Sequence, residues 1–461
     1  MNFKTTLIVL AIFVLLVVSY LLFLRGEPDA EKLKGDPQKI SAVYGLDRNK
    51  IRRIRLSYKN ESYPTVTLAK NVDGIWQLTA PVTDDADQPK INEMLRDLLD
   101  KKVKRTLEVT DLSQYGLDNP TIQIEVWMTS PPSTGGQGGG DSPAKTFLIG
   151  KKGINYSVYA KEKSDPKIIL IESSALEDFT KSPADLRERT ALKFSPDAVS
   201  GFALQVSGQA EIRCEKRGKN EWEMIQPVDA KADTKEIESI LSVLNTLKIA
   251  VFEADGQVDL AKYGLEPPRV KMTLQLTDKG TRGLLIGAEA ETPGQVYAKR
   301  TDLNSIYSVD QIYAQLNKTV FDLRDKRVMD FQRTETNRFE IQTSGRKIVC
   351  EKSIDGQWEI KAPVQLKANQ TAVDDLLFGV DSLKAVEFVS EHPRSLQPYG
   401  LDAPSFQVSF MQPPSEPAVL LIGSTKGDTV YVKAKNADTV FLVKKESLNP
   451  IRIGVEEIAK K

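Results

Sequence analysis

The chain repeats one pattern three times, and this repeat constrains its architecture more than any other feature. Tryptophans recur about 140 residues apart, at Trp76, Trp222 and Trp358. Each is followed at matching positions by proline, valine and a helix-capping residue: Pro81, Val82 and Asp87; Pro227, Val228 and Asp233; Pro363, Val364 and Asn369. Self-similarity at a fixed period indicates tandem copies of one fold. A residue present in all three copies is therefore expected to build the repeat rather than to perform chemistry.

A second motif follows each tryptophan. It reads Tyr115-Gly116-Leu117, Tyr263-Gly264-Leu265 and Tyr399-Gly400-Leu401, with proline five residues after the tyrosine at Pro120, Pro268 and Pro404. The glycine can adopt positive φ, and the proline restricts the backbone before the next strand. Further on, an Ile-Gly pair ends an apolar run (Gly150, Gly287, Gly423), and a tyrosine lies in the following strand (Tyr159, Tyr297, Tyr431). This motif predicts a turn followed by several strands.

The second repeat gives the clearest secondary-structure pattern. Alternating apolar residues predict strands at 202–206, 211–216 and 221–225, and Pro227 ends the third because proline cannot donate to the ladder. Later strands are predicted at 269–276, 283–287, 295–299 and 305–309.

Between these groups of strands the pattern predicts one long helix. Asp233 is the expected N-cap, and Glu236 is expected to complete a capping box. An apolar stripe follows at helical spacing: Ile237, Ile240, Leu241, Leu244 and Leu247. The other repeats carry similar stripes. The fold class predicted is therefore α+β, with three tandem repeats of mostly antiparallel sheet and one long amphipathic helix in each.

Chain length and spacing give the expected boundaries. A chain of 461 residues accommodates about three domains of ~150 residues. We assign 1–24 to a membrane anchor, 25–50 to a linker, and 51–190, 191–327 and 328–461 to the repeats. Tyr44-Gly45-Leu46-Asp47, in the linker, has Asn49 in place of the motif's proline and is interpreted as chance or a partial echo. A loop rich in Gly, Ser and Pro at 129–145 lengthens the first repeat by about 11 residues.

Short charged connectors also recur. Asp185-Leu186-Arg187 and Asp322-Leu323-Arg324 lead to Phe194 and Phe331, where the next repeat starts. They contain no flexible glycine-rich segment, so the repeats are expected to pack as a semi-rigid row. The chain ends where a third connector would begin, which predicts three complete repeats.

The N-terminus carries the only strongly apolar run. Leu7 to Leu24 has no charged residue and would span ~27 Å as a helix, about one hydrocarbon core. A cleaved signal peptide is the alternative, but the run is longer than a usual signal core and lacks an Ala-x-Ala site. We favour an uncleaved single-pass anchor in the inner (plasma) membrane. Basic residues flank both ends, so the extracytoplasmic placement of the remaining chain rests on the usual orientation of a single N-terminal anchor.

Residues for catalysis or metal binding are sparse. His392 is the single histidine, and Cys214 and Cys350 occupy one repeated position where the first copy has Leu68, which predicts free buried thiols. The glycines at 135–140 lack the Lys-Ser/Thr of a phosphate loop. The acids after Tyr-Gly-Leu (Asp118, Glu266, Asp402) suit a turn. No catalytic, cofactor-binding or metal-binding residue is assigned, and no cofactor is expected.

Two functional interpretations of other residues remain open. The three tryptophans could stack sugars or peptides, but their alternation with apolar neighbours favours the core. A pair of catalytic acids as in a glycosidase also remains open, because the distance between two acids in the fold does not follow from their separation in sequence. Lys+Arg and Asp+Glu both number 63, so no net charge draws the chain to nucleic acid.

The combined motifs resemble the bacterial domain of unknown function 4340 family. The resemblance covers three tandem copies, after about residue 40. It implies an N-terminal membrane helix in many members and genes beside ABC-transporter subunits of the gliding-motility type, and it defines no catalytic residue. We therefore expect a non-enzymatic, membrane-anchored interaction or scaffold protein, accessory to a transport or envelope complex. The alternative is an envelope glycan or peptide binder, or a hydrolase, using carboxylates in a cleft between repeats.

Overall fold

The computed structural model describes residues 37–129, 142–219, 221–278, 280–330, 332–412 and 416–459. The chain divides into two compact units, Met1–Arg189 and Thr190–Lys461, so the second unit holds repeats 2 and 3 together. The predicted anchor, most of the 129–145 loop and Phe331 lie outside the described residues. Among the residues that are described, no helix is long and apolar enough to cross a membrane.

Repeat 1 forms one nine-stranded antiparallel sheet, in the order β4-β3-β2-β1-β6-β7-β8-β9-β5. It begins with helix α1 (Ile40–Tyr44), and α2 follows β4. The bounds are β1 (Ile51–Tyr58), β2 (Val66–Lys70), β3 (Trp76–Ala80), β4 (Asp84–Asp85), α2 (Gln88–Asp100), β5 (Arg105–Glu108), β6 (Ile122–Met128), β7 (Lys145–Lys152), β8 (Ser157–Glu162), β9 (Lys167–Glu172), α3 (Ala175–Phe179) and α4 (Pro183–Leu186).

Repeat 2 has the same topology, with sheet order β13-β12-β11-β10-β15-β16-β17-β18-β14. Its elements are β10 (Val199–Val206), β11 (Ile212–Lys216), β12 (Trp222–Gln226), β13 (Ala230–Lys231), α5 (Thr234–Thr246), β14 (Ile249–Asp255), β15 (Val270–Leu276), β16 (Thr281–Glu289), β17 (Gln295–Arg300), β18 (Ser305–Asp310), α6 (Tyr313–Leu316) and α7 (Val320–Leu323).

Repeat 3 repeats this order as β22-β21-β20-β19-β24-β25-β26-β27-β23. Its elements are β19 (Arg338–Thr343), β20 (Arg346–Lys352), β21 (Trp358–Ala362), β22 (Leu366–Lys367), α8 (Gln370–Asp381), β23 (Glu387–Ser390), β24 (Phe406–Met411), β25 (Ala418–Lys426), β26 (Thr429–Ala434), β27 (Val440–Lys444) and α9 (Val455–Ile458).

The prediction of three antiparallel repeats is confirmed, but the repeats are mostly β. Sequence patterns missed the short strands β4, β13 and β22 before the helix, and β5, β14 and β23 after it. β14 pairs with β18 and so forms the sheet edge opposite β13. Its burial alternates from Ile249 onward, with the outward residues exposed. An edge strand of this kind carries a weak apolar signal because one of its faces meets solvent.

The long helix of each repeat is capped where the sequence indicates. The side chains of Asp87, Asp233 and Asn369 accept backbone N–H groups of the first turn. Each helix buries its apolar stripe in the core of its own repeat. The predicted capping box at Asp233 is only half formed, because the carboxylate of Glu236 lies 2.6 Å from Lys318 Nζ instead.

The recurring tryptophans belong to the cores, which confirms that interpretation. Trp76, Trp222 and Trp358 are 3%, 3% and 4% exposed. Cys214 and Cys350 are free and buried, as predicted, and burial raises the pKa of each thiol to about 12. These thiols therefore remain protonated near neutral pH and contribute as small apolar groups.

The Tyr-Gly-Leu turn explains the distant Ile-Gly motif. Gly116, Gly264 and Gly400 have φ of 65°, 63° and 65°, as predicted. The turn lies directly on the strand that contains the second glycine. A Cβ on Gly150, Gly287 or Gly423 would lie 2.2 Å from the tyrosine carbonyl oxygen of its own repeat, so only glycine allows this approach.

Two boundary predictions need revision. Ile40, Tyr44 and Leu46, in the expected linker, are buried in the first core, and Gly45 ends α1 with φ 65°. A third connector is also present at 454–459, where the sequence analysis expected none. The N–H of Asn369 donates to the Ile458 carbonyl (2.7 Å), as Asp87 donates to Leu186 (2.9 Å) and Asp233 to Leu323 (2.8 Å). The third connector has Ala459 at the position of Arg187 and Arg324, so it lacks the Asp-Leu-Arg motif by which the first two connectors were identified.

Candidate functional site

A lysine recurs in each repeat two residues after the tyrosine of the last hairpin, and the sequence analysis did not identify it. Lys161, Lys299 and Lys433 each follow that tyrosine by two residues. The ammonium of Lys161 donates to three backbone carbonyls of the next turn, those of Glu162, Lys163 and Asp165, and the other two lysines bind their turns in the same manner. Burial lowers the pKa of Lys299 and Lys433. This lysine closes a loop in every repeat and is occupied by internal contacts.

The recurring tyrosines are also engaged within their repeats. Tyr115 packs edge-on against Tyr159 with ring centroids 4.7 Å apart, and the corresponding pairs lie 5.0 and 5.1 Å apart in repeats 2 and 3. Such pairs stabilise the contact between turn and sheet. The tryptophans, glycines, tyrosines and lysines shared by the three repeats therefore all serve the fold.

An acidic groove distinguishes repeat 1 from the others. It lies between α2, α3 and α4, and its cavity volume is about 500 Å³. Glu93 and Asp97 come from α2, and Glu177, Asp178 and Asp185 come from the later helices. The matching positions are Ser239 and Val243 in repeat 2 and Asp375 and Gly379 in repeat 3, so only repeat 1 has acids at both positions.

Several acids of this groove already have partners. Asp178 pairs with Lys101 at 2.5 Å, and Arg96 contacts Glu93 at 3.2 Å. Burial alone would raise the pKa of Asp185, but hydrogen bonds from Ser182 outweigh it and hold the pKa below its ordinary value. A general acid needs a raised pKa, so Asp185 is poorly suited to proton donation. No group of acids, histidine and cysteines suited to a metal occurs among the described residues.

The cleft between repeats 2 and 3 is small and closed by charge pairs. Its volume is about 250 Å³. Arg324, from the connector, binds both carboxylate oxygens of Glu391 in repeat 3, at 2.5 and 3.0 Å, and stacks over Phe388 at 3.7 Å from the ring centroid. Thr439 donates to the same carboxylate at 3.0 Å. This arrangement fixes one repeat against the next.

The other carboxylates of this cleft are likewise ion-paired. Asp330 lies 2.6 Å from Lys231, and Asp325 lies 2.6 Å from Arg327. The hydrogen bond and charge of Lys231 lower the pKa of Asp330. Ionised and paired acids are poorly placed for the acid–base pair of a glycosidase, which needs one protonated partner.

The single histidine and the acids that follow the Tyr-Gly-Leu turns lie on the surface. His392 is 81% exposed, with Nδ1 3.7 Å from an oxygen of the equally exposed Asp438. Asp118, Glu266 and Asp402 are exposed at their turns, separated among the three repeats. The structure assembles none of them into a common site.

The chain belongs to the family described as Domain of unknown function (DUF4340), whose model matches residues 76–224, 222–361 and 358–461. Each match begins at a recurring tryptophan, within the sheet rather than at its first strand. The first match therefore runs from β3 in repeat 1 to β12 in repeat 2. The structural repeat is a shifted version of the family unit, and it includes β1 and β2, which precede the first match.

Other comparisons add little. No curated protein sequence matches the chain. Among solved structures, a DNA polymerase sliding clamp from Pseudomonas aeruginosa matches at 9% identity and TM-score 0.15, covering 88% of this chain and 94% of that chain. The DNA polymerase III subunit beta sliding clamp from Bartonella birtlesii matches at 7% identity and TM-score 0.14, covering 86% and 90%. Scores this low support no statement about fold or function.

Proposed function

We propose that this chain is a non-enzymatic, membrane-anchored interaction or scaffold protein, held outside the cytoplasm and accessory to an ABC-type transport or other envelope complex. One observation carries the proposal: the tryptophans, glycines, tyrosines and lysines shared by all three repeats are occupied by internal contacts, while other surface positions differ from repeat to repeat. The anchor rests on Leu7 to Leu24, and the transport association rests on the family resemblance.

The sheet faces turned away from the cores supply area for partners. Nine strands at ~4.8 Å spacing form a face roughly 40 Å wide. Each face carries ion pairs among its own residues, such as Arg55 with Glu125 at 3.4 Å in repeat 1 and Lys347 with Glu340 at 2.9 Å in repeat 3. Their charges are balanced locally, which suits polar and selective protein contacts.

The test uses the full-length chain in its native membrane. Photo-crosslinking residues would replace Val72 and Ile354, which are fully exposed at equivalent hairpin tips, and buried Leu68 would serve as the matched control. We expect crosslinks from the tips to an integral transport or envelope subunit, and none from Leu68. Fractionation should leave the intact protein in the inner membrane, with protease reaching it only from the outer side. A soluble form beginning near residue 26, without crosslinks, would contradict the proposal.

The acidic groove of repeat 1 favours a second candidate, a binder of cationic peptides. Glu93 and Asp97 lie one helical turn apart on α2 and would exchange their contacts with Arg96, at 3.2 and 3.6 Å, for the cationic groups of the peptide. Replacing both by lysine should abolish binding of an oligolysine peptide to the full chain, whereas the same change at Glu456 and Glu457 should not. Equal binding by both variants would reject this candidate.

A further inference from the structure

Repeat 3 carries an open groove at a place that Tyr58 fills in repeat 1. The groove lies between the ends of β19, β20 and β24 and the segment that precedes α9, and its volume is about 380 Å³. That size falls within the range of small-molecule sites. Its walls are mainly apolar and come from Ile341, Ile348, Phe406, Ile453 and Val455.

The equivalent place in repeat 1 is filled by Tyr58. Strand pairing aligns Leu56 with Ile341, so Tyr58 corresponds to Thr343. The Tyr58 hydroxyl lies 3.1 and 2.9 Å from the carbonyl oxygens of Phe179 and Lys181 and ties the first strand to the connector. In repeat 2, Gln209 donates to Asn317 of the connector at 3.2 Å. Val206 is the matching residue of repeat 2. In repeat 3 the side chain of Thr343, shorter than that of Tyr58, leaves this space open.

Two arginines that are particular to repeat 3 line this groove. Arg346 pairs in register with Thr343, and Arg452 lies on the segment before α9. The Nε of Arg452 is buried without a hydrogen-bond acceptor among the described residues. Burial lowers the pKa of Arg452. The matching residues are Thr180 in repeat 1 and Asn317 in repeat 2.

No described carboxylate forms an ion pair with either arginine. Glu457 lies nearby, but its Oε2 accepts the N–H of Gly454 at 2.9 Å and so caps α9. Arg338, which is partly buried like Arg452, instead contacts both Glu340 and Glu351 on the same sheet. The groove therefore combines apolar walls with two guanidinium groups that lack an anion.

We propose that this groove binds a small organic carboxylate with an aliphatic body. The guanidinium groups of Arg452 and Arg346 hold the carboxylate, and the apolar walls cover the hydrocarbon. A planar guanidinium matches a carboxylate with two parallel hydrogen bonds, which the partly buried Arg452, whose Nε lacks an acceptor, is suited to form. Inorganic phosphate would satisfy the charge but would leave the apolar walls exposed to water.

The experiment measures octanoate binding to the full chain by isothermal titration calorimetry. Octanol tests the contribution of the charge, and inorganic phosphate tests the contribution of the hydrocarbon. Arg452→Gln removes the charge of the partly buried arginine, Thr343→Tyr fills the groove as Tyr58 does in repeat 1, and Arg394→Gln is an exposed control outside the groove. Thermal unfolding of each variant verifies that repeat 3 remains folded.

We expect saturable binding of octanoate, weakened about tenfold or more by Arg452→Gln, abolished by Thr343→Tyr, and unchanged by Arg394→Gln. Octanol and phosphate should each bind far more weakly than octanoate. If octanol bound as tightly as octanoate, the groove would not recognise the carboxylate. If phosphate bound as tightly as octanoate, the apolar walls would not contribute to binding. Absence of octanoate binding, or binding that survives both folded groove variants, would overturn the proposal.

Discussion

The first two connectors use the same three residues in different ways. Arg187 is buried against Asp84 of its own repeat, with 2.5 Å between Nη2 and Oδ2. Arg324 instead reaches Glu391 in the next repeat. The position of Asp84 is occupied by Ala230 in repeat 2, so Arg324 finds no carboxylate there. The buried acid partner of Arg187 thus lies in its own sheet, whereas the acid partner of Arg324 lies in the following sheet.

The two pairs differ in how burial and the arginine together shift the pKa of the carboxylate. Burial raises the pKa of Asp84, and the charge and hydrogen bond of Arg187 act against that rise. Burial also acts to raise the pKa of Glu391, but the hydrogen bond and charge of Arg324 prevail there, so its pKa lies below the ordinary value. The exposed fractions of the two carboxylate side chains are 5% and 34%. The partly hydrated pair therefore retains more of its favourable interaction.

The largest expected effect comes from breaking the buried pair in repeat 1. Arg187→Met leaves an ionised carboxylate without its partner and should cost about 3–5 kcal/mol of unfolding free energy. Hydrogen–deuterium exchange followed by mass spectrometry can measure this loss for each repeat separately. Adding Asp84→Ala, the residue found in repeat 2, should restore most of the protection. If the single variant leaves exchange in repeat 1 unchanged, the pair does not stabilise that sheet.

Arg324→Ala is expected to weaken the contact between repeats 2 and 3 rather than either sheet. Hydrogen bonds to a charged group contribute about 1.5–3 kcal/mol, and the stacking on Phe388 is lost as well. Exchange should rise at β23 and at the connector, while the long helices α5 and α8 remain protected. Arg327→Ala is the matched control because its pair with Asp325 is local. Equal effects of the two substitutions would remove the distinction between the connectors.

The sequence was sufficient for the features that depend on local chemistry. The capping residues, the glycine turns and the buried tryptophans follow from propensity and periodicity. The pairing of Arg324 with Glu391 could not be predicted, because the partners are 67 residues apart and meet only after both sheets have formed. Lys161 and its equivalents could have been found, since they recur two residues after an aligned tyrosine. The groove of repeat 3 required knowing that Thr343 replaces Tyr58 in space.

Acid should loosen the second connector through Glu391. Its pKa in the folded protein lies below that of the unfolded chain, about 4.3, so its contribution is complete above that pH and is lost as the pH falls through the folded value. Exchange at β23 should therefore rise below about pH 4 in the wild-type chain, after correction for intrinsic exchange rates. Glu391→Gln should have a raised rate already at neutral pH and a smaller further change. An identical pH profile in both would show that Glu391 is not the responsible group.

The smallest effect is expected at the exposed pair between Lys231 and Asp330. Both side chains are more than half exposed, at 65% and 62%, although their atoms lie 2.6 Å apart, nearly as close as the 2.5 Å of the buried pair Arg187–Asp84. Exposed pairs contribute about 0.2–1 kcal/mol because water and salt screen them and because ordering two side chains costs entropy. Lys231→Ala should thus change exchange near β13 only slightly, and salt at high concentration should produce the same change in the wild-type chain. A loss as large as that of Arg324→Ala would mean that short distance, rather than burial, decides which pair joins repeats 2 and 3.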